Sequence, residues 1–185
     1  LGELGQRCAA DPTIVVETVP HRADPHQRVL ALADAVPGHG RCVAAPVVPE
    51  EPVVAVGAHG LANGLVRLEV EPDDGTWSID GLAGMGQLVD SGDVGDTYNW
   101  CPPDLDAVVD RPRAVTVTVT EAGPVRGVIV IDTDHLLPER GGVDAEGRSV
   151  RTGELHQRVR TTLTLDAGEP FVRVTVELDQ RARDH

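Results

Sequence analysis

From Ala114 to Thr120 the chain reads AVTVTVT. Strict alternation puts Val115, Val117 and Val119 on one side of an extended backbone and Thr116, Thr118 and Thr120 on the other. β-Branched side chains at every position after Ala114 suit a half-buried pleated surface and disfavour a helix. The pattern recurs: Val66, Leu68 and Val70 alternate with Arg67 and Glu69, and Val159, Thr161, Leu163 and Leu165 alternate with Arg158, Arg160, Thr162 and Thr164. Val172, Val174, Val176 and Leu178 line one face of a further strand whose other face carries Phe171, Arg173, Thr175 and Glu177, and Val125 to Ile131 is a nearly continuous apolar run. Strands at this spacing predict antiparallel sheets packed as a sandwich. Asp132 to Gly153 reads as a polar, glycine-containing connection between two of them, a long hairpin excursion.

Upstream, Thr13 to Glu17, Arg28 to Ala33, Arg41 to Val47 and Val53 to Val56 are short strand-like runs punctuated by Pro20, Pro25, Pro37, Pro46 and Pro49. The segment from Asp24 to Ala35 also fits a helix, with Val29, Leu30 and Ala33 on one face, but Pro25 and the following Pro-Gly turn favour a strand. Pro46-Val47-Val48-Pro49-Glu50-Glu51-Pro52 cannot lie in a central strand. It marks either a boundary between a small β segment, residues 1–50, and a sandwich domain, residues 51–185, or a surface loop within one domain.

Valine, leucine and alanine must build the core, because Trp77, Tyr98, Trp100 and Phe171 are the whole aromatic complement. Net charge is −14, from 16 basic and 30 acidic residues, and every basic residue is arginine. That balance excludes nucleic acid and anionic membrane as partners, since phosphates require a basic face. The absence of lysine is read as GC-rich coding before it is read as selection for bidentate anion binding. Cys8, Cys42 and Cys101 show no metal-ligand spacing and cannot all pair internally, so a reducing, cytoplasmic setting is expected. No apolar run reaches the length of a membrane span, and Leu1 does not open a signal peptide.

Few residues carry candidate chemistry. None of the seven histidines forms an i,i+2 or i,i+4 pair, no nucleophile motif is present, and Gly81 to Gly86 lacks a phosphate-loop lysine. The exception is Asp90 to Pro103, where Asp90, Asp93 and Asp96 lead through Gly92 and Gly95 into Tyr98-Asn99-Trp100. Carboxylates accept from sugar hydroxyls and an aromatic face covers the C–H patches of a pyranose, so Tyr98, Asp96, Asp93, Asn99 and Trp100 are the candidate carbohydrate contacts. A solvated acidic turn with core aromatics is the competing reading. Calcium is disfavoured, because the aspartate spacing does not match a calcium-binding loop.

Asn63-Gly64, the strand LVRLEV, the turn PDDGT, then GDTYNWCPP, Glu121 to Gly127 (EAGPVRG) and Leu163 to His185, in this order, resemble the C-terminal β-sandwich region of glycoside hydrolase family 38, the α-mannosidases. Gln180 departs from the family's asparagine. The resemblance implies a galactose-mutarotase-like supersandwich that continues past His185, in a parent whose zinc-dependent catalytic barrel is not in this sequence. With 185 residues there is no room for a barrel of about 250 alongside the sandwich. It further implies a parent glycosidase of mannose metabolism, no cofactor and no catalytic residue in this chain, zinc in the barrel, and mannoside and the parent's own catalytic domain as partners. Tyr98 matches the tyrosine that such a loop sends toward the active site, with Asp96 second. A free-standing carbohydrate-binding module, a purely structural scaffold and an oligomer all stay open.

Overall fold

The computed structural model describes residues 14–19, 26–31, 47–96 and 98–183. Thirteen strands follow in chain order: β1 Ile14–Val19, β2 His26–Ala31, β3 Val54–Val56, β4 Gly60–Ala62, β5 Arg67–Val70, β6 Trp77–Ile79, β7 Leu82–Met85, β8 Ala114–Ala122, β9 Arg126–Leu137, β10 Arg140–Val143, β11 Ser149–Thr152, β12 Leu155–Asp166 and β13 Arg173–Leu178. There is no helix among the described residues, and the fold is an all-β sandwich of antiparallel sheets. β1 and β2 form a two-stranded sheet in register from Ile14↔Ala31 to Val19↔His26. The 24–35 segment is therefore a strand where it is described. The expected strand from Arg41 to Val47 lies almost entirely outside the described residues.

β3 to β7 form a five-stranded meander, and β13-β12-β9-β8 a four-stranded sheet. The period-two pattern explains which side of each is buried. In β9 the odd residues from Gly127 to Ile131, then His135 and Leu137, face inward. In β12 the buried set is Gln157, Val159, Thr161, Leu163 and Leu165. β5 buries Leu68 and Val70 between exposed Arg67 and Glu69.

The chain divides into two units, each described here by itself. The first comprises Leu1–Glu69, Val119–Ile129 and Leu163–Arg173. Leu61, Leu68, Ile129, Leu163 and Leu165 are fully buried in it. Each removes from water a side chain worth about 1.5–3 kcal/mol. Gly127 lets the sheets approach, for a Cβ there would meet Val53 Cγ1 at 2.7 Å and Leu61 Cδ1 at 2.8 Å. Asn63, wholly buried, donates to the carbonyls of Asp166 and Glu169, both at 2.8 Å, and accepts from the amides of Leu65 and Val66. Asp166 also accepts the Arg126 guanidinium in a fork, at 2.6 and 3.1 Å, and Arg173 Nη1 at 2.8 Å.

The second unit comprises Val70–Thr118, Val130–Thr162 and Val174–His185. Its core holds Val70, Trp77, Ile131, Leu137 and Val159. The turn after β5 closes with Gly75 donating to the Glu71 carbonyl and Glu71 to that of Thr76, and Gly75 sits at φ +76° over Ile131 and Thr133.

One expectation is corrected in part. The excursion from Asp132 to Gly153 does contain a hairpin, β10 and β11, paired antiparallel from Arg140↔Thr152 to Val143↔Ser149, but it starts later than expected, because β9 continues to Leu137. The acidic residues misled because they stand on the outer face of β9. There Asp132 takes the Arg160 fork at 2.8 and 3.0 Å, and Asp134 meets His156 Nδ1 at 2.7 Å. An acid on the solvated side of a strand across from a base is good strand chemistry.

Candidate functional site

The loop from Asp90 to Val109 opens and closes on itself, with Asp90 and Val109 exchanging backbone hydrogen bonds at 2.8 and 2.9 Å. Its base is fastened to β11 by one side chain. Arg151 Nε donates to Asp106 Oδ1 at 2.7 Å, Nη1 to Asp90 Oδ2 at 2.6 Å, and Nη2 to the carbonyls of Ala107 at 2.7 Å and Asp90 at 3.3 Å. The guanidinium is 1% exposed. A planar fork with its donors directed at two carboxylates and two carbonyls is an arrangement lysine cannot reproduce. Asp106 Oδ2 also accepts the Gly92 amide at 2.8 Å. Desolvation opposes ionisation of Asp106, but the Gly92 amide and Arg151 outweigh it and hold the carboxyl below the usual range. Asp104 adds a second clamp, accepting the Ser149 amide at 2.7 Å while Leu105 donates to the Ser149 carbonyl at 3.1 Å.

The tip of the loop is ordered by two aspartates. Asp93 Oδ1 accepts the amides of Gly95 and Cys101, both at 2.9 Å, and the Cys101 amide followed by that of Gly95 lowers the Asp93 pKa. Asp96 Oδ1 accepts the amides of Tyr98 and Asn99 at 2.9 Å. Val94 donates to the Cys101 carbonyl at 2.9 Å. Gly95 is obligatory, since a Cβ would fall 2.0 Å from the Asn99 carbonyl oxygen. These bonds leave one oxygen of each aspartate without a partner among the described residues. They also turn the aromatics outward: Tyr98 is 91% exposed and Trp100 69%.

Of the five predicted contacts, Asp93 and Trp100 come together along a shallow groove of about 370 Å³ shared with Asp90, Ser91, Val89 and Gln180. Tyr98, Asp96 and Asn99 belong to the same tip but do not line that groove. Neither aromatic is a core residue. A solvent-facing loop tip with two aromatic rings and free carboxylate oxygens can bind a polar ligand with C–H faces. Cys101, a free and exposed thiol, stands beside it. Among the described residues no group of three or more histidine, cysteine, aspartate or glutamate side chains could hold a metal ion. No helix in the described residues is long and apolar enough to cross a membrane.

Sequence reasoning missed Arg151 and Asp106. Nothing in SVRTG marks Arg151, because its partners lie 45 and 61 residues away.

No family model matches the chain, and no curated protein sequence matches it. Solved structures do. A glycosyl hydrolase family 38 protein from Enterococcus faecalis aligns over 92% of this chain with a TM-score of 0.62, and an α-mannosidase from Enterococcus faecalis V583 over 92% with a TM-score of 0.65. Identity is 15% in both, so the likeness is one of fold. The chain spans about a quarter of either protein, 24% and 23%.

Proposed function

We propose that this chain is a non-catalytic β-sandwich domain of an α-mannosidase-like glycoside hydrolase, bracing a zinc-dependent catalytic barrel and lending the loop from Asp93 to Trp100 to the sugar pocket. The observation that carries it is the loop itself: its base is pinned by a buried arginine and its tip holds Tyr98 and Trp100 in solvent, within a fold shared with parts of two such hydrolases. A protein that needed these rings for stability would bury them. In this reading the zinc of such an enzyme belongs to the barrel. The role of the tip is therefore recognition: an aromatic face against the sugar and a carboxylate oxygen for its hydroxyls. A cytoplasmic setting goes with this reading.

The test uses the parent protein carrying both parts. Tyr98→Ala is expected to raise KM for an aryl mannoside or lower kcat/KM by roughly tenfold, the effect of losing about 1.4 kcal/mol of contact. Tyr98→Phe then separates ring from hydroxyl. Unchanged kinetics for both Tyr98→Ala and Trp100→Ala would reduce the domain to a scaffold. Saturable heat on titrating the 185-residue chain with mannose oligosaccharides would instead make it a binding module in its own right.

A further inference from the structure

A second polar cavity lies away from the loop tip, within the second unit. It encloses about 150 Å³. Ile131, Thr133, His135 and Thr161 form its floor, Gly84 and Gly86 one wall, and Gln87, Asp110 and Arg111 its rim. Ile131 is 1% exposed, His135 5% and Thr161 8%.

The hydrogen bonds show which of these groups are committed. Thr133 Oγ1 lies 3.4 Å from the Val159 carbonyl and 3.2 Å from His135 Nε2, so its one proton serves one of the two and Nε2 of the imidazole is engaged either as donor or as acceptor. Nδ1 of His135 has no partner among the described residues. Burial lowers its pKa, against the charges of Asp134 and Asp90, which keeps the ring neutral. Among the described residues, no group bonds the Thr161 hydroxyl, the Asp110 carboxylate or the Arg111 guanidinium. Asp74, also on the lining, is already occupied by the amide and hydroxyl of Thr76 at 2.9 and 2.8 Å.

We propose that this cavity binds a small neutral polyol of monosaccharide size. An anion is disfavoured by a chain of net charge −14 and by Asp110 at the rim. A metal cation would find one uncommitted carboxylate, beside an arginine. An apolar molecule would strand the hydroxyl of Thr161 and the second imidazole nitrogen. Hydroxyl groups donate and accept at once, which suits the buried imidazole and the Thr161 hydroxyl together with the exposed charges of Asp110 and Arg111 and the Gln87 amide, whose nitrogen also reaches the Asp110 carbonyl at 3.4 Å, while Ile131 offers a patch for C–H bonds. The space would otherwise hold about five waters, and a polyol replaces them with the same hydrogen bonds. The site is independent of the loop reading above.

The reporter is built in. A Cβ on Gly86 would fall 1.7 Å from Trp77 Cζ3, so the Trp77 ring packs directly against a glycine that lines the cavity. In the 185-residue chain carrying Trp100→Phe, Trp77 is the remaining tryptophan, and its emission is followed while D-mannose, D-glucose or myo-inositol is added to about 50 mM, a range that covers the millimolar affinities such a small site supports. The expected result is a saturable change with at least one of them, weakened roughly three- to tenfold by the isosteric Thr161→Val, unaffected by Tyr98→Ala, and absent with sodium acetate or ammonium chloride. No saturable response to any of the three would overturn the site, as would an equal response to the ionic controls. A response removed by Tyr98→Ala and unmoved by Thr161→Val would place the binding at the loop and overturn it too.

Discussion

Asn63 uses every hydrogen-bonding position of its amide. Two donors reach the carbonyls of Asp166 and Glu169, more than a hundred residues away, and the oxygen accepts two amides of its own turn. The local half of this was legible, since Asn-Gly before an alternating run is turn chemistry. The distant half was not, because nothing near Asp166 announces two carbonyls in want of donors. Asn63→Asp keeps the shape and replaces the two donors with a carboxylate facing those carbonyls. It should cost about 3–5 kcal/mol, two buried groups left unsatisfied at 1–3 kcal/mol each with a buried charge added. A urea midpoint within experimental error of the wild type would show that this network does not hold the first unit together. Arg151 carries the same lesson for the candidate site. Composition and spacing exposed the acidic aromatic tip, whereas the residue that fixes the base of its loop was invisible until β11 lay beneath Asp90 and Asp106.

Strand placement follows the apolar period closely where one face is buried, as in β5 and β12, because a one-residue slip would turn every inward side chain outward; β8 keeps the period with its valine face only half-buried. It failed at Asp132, where charge was taken for the end of a strand. It is least decisive at β13, whose valines alternate as they should, yet Val174, Val176 and Leu178 are about half exposed at the edge of the sheet. The β6–β7 ribbon shows what alternation cannot convey. Trp77 is buried because Gly86 offers it no side chain, and Gly86 also sits at φ +75°. Gly86→Ala therefore combines a left-handed backbone penalty of about 1–2 kcal/mol with a ring displaced from the core, and should cost roughly 2–5 kcal/mol. Gly147, at φ +82° with open space around it, isolates the backbone part, so Gly147→Ala should cost only about 1–2 kcal/mol. Equal losses in thermal or urea unfolding of the two variants would mean that the Trp77 contact contributes nothing.

At the scale of the whole molecule, acid acts through two sets of groups. Asp74, Asp93, Asp104, Asp106 and Asp144 all have lowered pKa values in the folded chain, with backbone amides prominent among the causes. Their stabilisation is complete above the ordinary carboxylate value near 3.9 and disappears as pH falls below it through the folded values. His135 acts earlier. Its folded pKa is depressed first by burial, so below about 6.5 the unfolded chain takes up a proton that the folded chain refuses, and stability falls with pH. Opposing both, the charge of −14 diminishes toward the isoelectric point near 4.7, which relieves self-repulsion. The absolute pH profile therefore mixes terms of opposite sign, and the difference between wild type and His135→Gln separates them. That change keeps a group able to donate to or accept from Thr133 and leaves the other described histidines, His26, His59 and His156, in both proteins. From pH 7.5 to 5.5 the wild type should lose stability relative to the variant, at no more than about 1.4 kcal/mol per pH unit, the limit for one proton. Urea titrations at four pH values decide it: a flat difference would mean that His135 is protonated as readily in the folded chain as in the unfolded, and a difference of opposite slope would mean that Asp134 and Asp90 overcome its burial.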